Sequence, residues 1–159
     1  MSAAKQGARL SRDRRYRYLL WREWDSSRAS VVFVGLNPSS ADEREDDPTI
    51  RRCCGFARAW GYGGVRVVNL FAYRTARPRE LRGVEKPVGA RNDWWISLAV
   101  EGAGVVVAAW GACGGEDVEE RIVRVRGLLR EVWCLGVTKG GRPRHPLYVR
   151  GDARLTRYR

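Results

Sequence analysis

Histidine is almost absent from this sequence: His145 is the only one among 159 residues. That scarcity, with four cysteines (Cys53, Cys54, Cys113 and Cys134) in no C-x-x-C spacing, leaves no familiar zinc ligand set. No metal and no cofactor is therefore expected, and the cysteines read as buried free thiols. No apolar run approaches the roughly 20 residues of a membrane span, and the arginine-rich N-terminus lacks the apolar core of a signal peptide. A cytoplasmic protein without a membrane partner is expected. Two phosphate-binding signatures are also missing, the Gly-x-x-x-x-Gly-Lys-Ser/Thr P-loop and the Gly-x-Gly-x-x-Gly dinucleotide fingerprint. Acidic side chains are few, 18 against 30 Lys and Arg, so the chain carries +12 and suits a polyanionic partner such as DNA. Both ends are basic: seven basic residues against three acids up to Asp25, and seven against one from Thr138 onward.

What is present is an alternation of short apolar runs and amphipathic segments. Residues 1–11 read as a basic, disordered tail, and 12–159 as one α/β domain. Arg12 to Trp24 can form a helix with Tyr16, Leu19 and Leu20 on one side. Ser30 to Leu36 is continuously apolar and rich in valine, as in a strand buried on both faces. Asp47-Pro48 supplies an N-cap and a first-turn proline for a helix through Ile50, Cys53, Ala57 and Trp60, closed by Gly61. Val65 to Phe71 reads as the second strand, followed by a long Arg- and Pro-rich loop from Ala72 to Ala90. Asn92 or Asp93 can cap a helix through Trp94 and Leu98. Val105 to Trp110 is the third strand, Glu116 to Arg130 a further helix, and Val132 to Gly136 the fourth strand. Strand and helix in turn predict a three-layer α/β/α sandwich around a mainly parallel four-stranded sheet.

Each run ends in a compact polar or glycine-bearing signature. Gly35-Leu36-Asn37-Pro38-Ser39, Asn69-Leu70-Phe71, Trp110-Gly111 and Arg144-His145-Pro146 follow four successive strands, and ligands in such sheets bind beyond the strands' carboxyl ends. The Asn37 amide can orient a water or a substrate polar group, or simply hold the turn after the strand. Asp42 is the nearest carboxylate to that motif, while Asp47 fits a helix cap better than a catalyst. Asn69 reads either as a ligand-binding amide or as a loop amide bonded to backbone, and Trp110 as a core or pocket wall.

In detail the chain resembles a family of bacterial and viral proteins of unknown function that share Asn-Pro-Ser-x-Ala-Asp (here Asn37 to Asp42), Asp-Asp-Pro-Thr (Asp46 to Thr49) and an Arg-His-Pro-Leu-Tyr ending (Arg144 to Tyr148). More distantly it resembles the uracil-DNA glycosylase superfamily. There Gly35, Asn37 and Pro38 match the motif whose Asp or Asn positions the attacking water. Asn69 matches the asparagine that reads an extruded base, and His145-Pro146 the start of the motif whose histidine donates to the departing base. The usual Ser-Pro after that histidine is replaced by Leu147-Tyr148, and the aromatic residue that stacks on the base after the first motif is absent.

The resemblance implies a uracil-DNA glycosylase-like fold and a hydrolase that cleaves the N-glycosidic bond of a deaminated or modified base in DNA. Asn37, His145 and Asp42 are then the catalytic candidates, and Gly35, Leu36, Pro38, Ser39, Asn69, Phe71 and Trp110 line the substrate. Arg74, Lys139, Arg142 and Arg144 form a basic rim for DNA phosphates. Two other classes remain open: a non-catalytic nucleic-acid-binding module with a nucleotide pocket, and an enzyme of free nucleosides or nucleotides.

Overall fold

A seven-stranded mixed sheet with helices on both faces forms the molecule in a computed structural model that describes residues 4–159. In chain order the elements are β1 (Lys5–Leu10), β2 (Arg17–Glu23), β3 (Ser30–Gly35), α1 (Pro48–Ala59), β4 (Gly64–Asn69), α2 (Asn92–Val100), β5 (Val105–Ala108), α3 (Glu116–Arg126), β6 (Trp133–Cys134) and β7 (Thr156–Arg157). Short 3-10 turns span Pro78–Gly83 and Pro146–Tyr148. Spatial order is β1-β2-β4-β3-β5-β6-β7. The four strands expected from the apolar runs are there, parallel to one another in the centre. β1 and β2 add an antiparallel hairpin on one side and β7 an antiparallel edge on the other.

The sheet is thus larger and more mixed than the four-stranded, mainly parallel one expected. Lys5–Leu10, read as disordered tail, pairs along its length with β2; the first three residues lie outside those described. Arg17–Glu23, read as helix, pairs with β4, Leu20 opposite Val67. Leu19 and Leu20 fit a helical face and adjacent strand faces equally well, and a strand partner distant in sequence decided between them.

Strand alternation sorts the core. Val31 and Phe33 of β3 pack with Ile50, Cys53, Phe56 and Ala57 of α1, whereas Val32 and Val34 pack on the other face with Ile96 of α2 and Ile122 and Val125 of α3. Helix α1 begins as its sequence dictates, with Asp47 Oδ1 accepting from the Ile50 N–H at 2.9 Å and Pro48 in the first turn. Helix α3 stops at Arg126, four residues short of the expected end, where Gly127 provides the C-cap. All four cysteines are free, and burial raises the thiol pKa of Cys53, Cys54 (to about 11) and Cys113. Among the described residues no helix is long and apolar enough to cross a membrane.

Candidate functional site

The carboxyl ends of β3 and β4 lie side by side, Gly35 opposite Asn69. Glycine is required there because a Cβ on Gly35 would stand 2.7 Å from Asn69 Oδ1. By alternation from Val65 and Val67, the Asn69 side chain faces the α1 side of the sheet. It is 3% exposed, and its amide nitrogen has no hydrogen-bond partner among the described residues. Gly35→Ala should therefore cost about 1–3 kcal/mol by overpacking, whereas Gly55→Ala in α1, with nothing within 4 Å, should be neutral or better. Urea unfolding of the two variants checks this, and equal midpoints would contradict it.

Beyond β3 the chain runs through the motif loop 36–47. Asn37 donates both amide hydrogens to main-chain carbonyls, Pro38 O at 3.0 Å and Thr75 O at 2.8 Å. Among the described residues its own carbonyl oxygen accepts no hydrogen bond. Asp42 is taken up differently: Oδ1 accepts from the Arg44 and Glu45 N–H groups at 2.9 and 2.8 Å, and Oδ2 lies 3.6 Å from Arg14. Those backbone donors, with the Arg14 and Arg74 charges, hold its pKa below the ordinary aspartate value, against a smaller effect of burial. Asp42 thus shapes its own turn, with its carboxylate held ionised.

His145 reaches the same side of the sheet from the far end of the sequence. A hairpin over 136–144, bridged at Val137 and Pro143, leads into it, and the Gly111 N–H donates to Pro143 O at 2.9 Å. A Cβ on Gly111 would come within 3.3 Å of the His145 Cβ, and φ of +77° there also favours glycine. Helix α1 anchors the following turn through Arg52, which donates to the carbonyls of Pro146 and Val149. His145 Nδ1 accepts from the Leu147 N–H at 3.2 Å, so its proton sits on Nε2. Burial lowers its pKa and the Asp47 carboxylate pulls weakly the other way, leaving a neutral imidazole that can donate one hydrogen bond.

Other expected site residues have different work. Leu36 and Phe71 pack into the core on the α2 and α3 side, and Pro38 and Ser39 belong to the motif loop. Trp110 is 2% exposed in that same core, edge-on to Tyr158 at 5.8 Å, on the face of the sheet away from Asn69. In the expected basic rim, Arg74 instead donates to the carbonyls of Arg14, Ser39, Ser40 and Ala41, and Arg142 is paired with Glu119. Lys139 and Arg144 are exposed.

Four residues not expected at the site from the sequence hold the two strand-end loops. Buried Arg17 donates to Ala41 O at 3.1 Å, and Arg22 donates to Asp42 O at 2.7 Å and to Asp46 Oδ1 at 2.8 Å. Burial drives the Arg17 pKa down to about 10, opposed chiefly by Asp47. On the other face Asn92, fully buried, donates to Asn69 O and Leu70 O rather than capping α2, and Arg121 donates to Leu70 O while paired with Asp93. Their signal was polar residues at inward positions, legible only once the strands are assigned. No curated protein and no solved structure matches the chain. Residues 17–147, from the first buried arginine to the turn after His145, match the family described as protein of unknown function DUF1643, and the chain belongs to that family.

Proposed function

We propose that this protein binds DNA at the carboxyl ends of β3 and β4 and hydrolyses the bond between a deaminated or modified base and its sugar, as the distant likeness to uracil-DNA glycosylases implies. The observation that carries the reading is the Asn69 amide nitrogen, a donor buried at 3% exposure without a partner among the described residues. Leaving such a donor unpaired costs about 1–3 kcal/mol, a cost offset when a ligand carbonyl or ring nitrogen accepts from it. Base release builds negative charge on the base and positive charge on the sugar. His145, neutral with its proton on Nε2, would donate to the departing base, and the Asn37 carbonyl oxygen would hold the water. The Asn37 amide cannot take a proton from water as a carboxylate would, which suits a substrate whose base already leaves readily.

A second reading, a nucleic-acid-binding module without chemistry, is favoured by the engagement of both nearby carboxylates. Asp42 is spent on its own turn, and Asp47 on the α1 cap and the Ala41 N–H. One assay separates the readings: single- and double-stranded oligonucleotides carrying uracil, hypoxanthine, xanthine or modified cytosines are incubated with wild type, Asn37→Ala and His145→Ala, then cleaved with alkali. Abasic sites formed by wild type and lost in the variants support hydrolysis. Salt-sensitive binding with no abasic site on any substrate supports the module, and turnover of free nucleosides alone rejects both.

A further inference from the structure

At the opposite end of the sheet from Asn69 and His145, where β6 begins and β7 ends, lies a cavity of about 460 Å³ that the proposed reaction does not use. Arg126, Arg130, Arg157 and Arg159 line it, against one acidic side chain, Glu131. We propose that this cavity binds a ligand through two or more linked phosphoryl groups, carried by a free nucleoside di- or triphosphate or by a nucleic-acid strand.

Charge is the first argument. Glu131 sits 3.3 Å from Arg157 with both side chains more than half exposed, so water screens that pair, and among the described residues no other acidic side chain lines the cavity to neutralise the remaining guanidinium groups. Like charges gathered in a concave wall repel, and an anion between them relieves the repulsion. Orientation is the second. Arg126 lies over the Tyr158 ring at 4.6 Å from its centroid, and that ring is 8% exposed and held edge-on by Trp110. Contact with the ring restrains the guanidinium beside the cavity, and a planar fork of donors matches phosphate oxygens in pairs. The third concerns the end of α3, whose carbonyls would repel an anion if bare. Those of Val123, Val125 and Arg126 already accept from the Gly127, Leu128 and Leu129 N–H groups. The volume is in the range of small-ligand pockets, about 300–1,000 Å³.

Titration calorimetry at low salt with tripolyphosphate, ATP and a ten-nucleotide single strand tests the proposal. Wild type should bind tripolyphosphate one to one, and Arg126→Gln/Arg130→Gln should weaken it about tenfold or more. Arg44→Gln/Arg79→Gln removes the same charge from exposed positions outside the cavity and should change the affinity less than about twofold. Arg130→Gln alone, at an exposed residue with no side-chain partner among the described residues, keeps the test valid if loss of the Arg126 stack unfolds the protein. ATP binding that falls in parallel identifies a free nucleotide, and strand binding that falls in parallel and is displaced by tripolyphosphate identifies nucleic acid. Equal losses in the two double variants, no tripolyphosphate binding, or tripolyphosphate binding with neither ATP nor strand affected would overturn it.

Discussion

Under the hydrolysis we propose, His145→Ala is expected to slow base release by about a hundred- to a thousand-fold, the usual effect of removing one preorganised donor from a developing anion. Ground-state binding should change far less, because the imidazole would strengthen its hydrogen bond only as charge moves onto the base, so the loss should appear in kcat rather than in KM. The pH dependence gives a second signature. Folding lowers the pKa of His145 from the ordinary value of 6.5, so the unfolded chain takes up a proton there while the folded one resists it. Stability is therefore unaffected above pH 6.5 and declines as pH falls from 6.5 through the folded pKa. Protonating Nδ1 also breaks its bond to the Leu147 N–H and loosens the turn over Pro146–Tyr148. Because no other histidine exists, one imidazole signal in NMR reports the titration directly. A folded pKa at or above 6.5 would remove the neutral donor from the mechanism.

The parts of the molecule legible in the sequence are those fixed locally or by continuous burial. The valine-rich run of β3 reads as a strand covered on both faces and Asp47-Pro48 as a helix start, and the structure has both. β1 and β2 were not legible, since β1 is mostly polar and the apolar residues of β2 run consecutively from Tyr18 to Trp21, a pattern that fits a helix as well; both gain their conformation from pairing with each other and with β4. The same difference runs through the site. Gly35, Asn69 and His145 stood out because their motifs follow apolar runs. Arg17, Arg22, Arg74 and Arg121 look in sequence like four more positive charges on a basic protein, yet each spends its guanidinium on main-chain carbonyls of the strand-end loops. A net charge of +12 therefore overstates what is available to a polyanion.

Asp47→Ala is expected to destabilise the protein by about 2–3 kcal/mol, more than a helix cap alone is worth. Losing the bond to the Ile50 N–H accounts for about 1 kcal/mol, and the remainder comes from Arg17, buried and facing Arg22 and Arg74, which would lose the nearby negative charge that chiefly opposes its desolvation. Asp47→Asn separates the two contributions, because an asparagine oxygen still accepts from Ile50 while the charge is gone; it should keep most of the cap and still lose about 1–2 kcal/mol. The substitution also acts across the site. Asp47 raises the His145 pKa against the effect of burial, so in Asp47→Asn that pKa should fall further. Urea unfolding at pH 7 and NMR titration of the single imidazole measure both effects on the same samples. If the asparagine variant matches wild type in both, the Asp47 charge supports neither the buried arginine under the motif loop nor the imidazole above α1, and the two sides of the site are held independently.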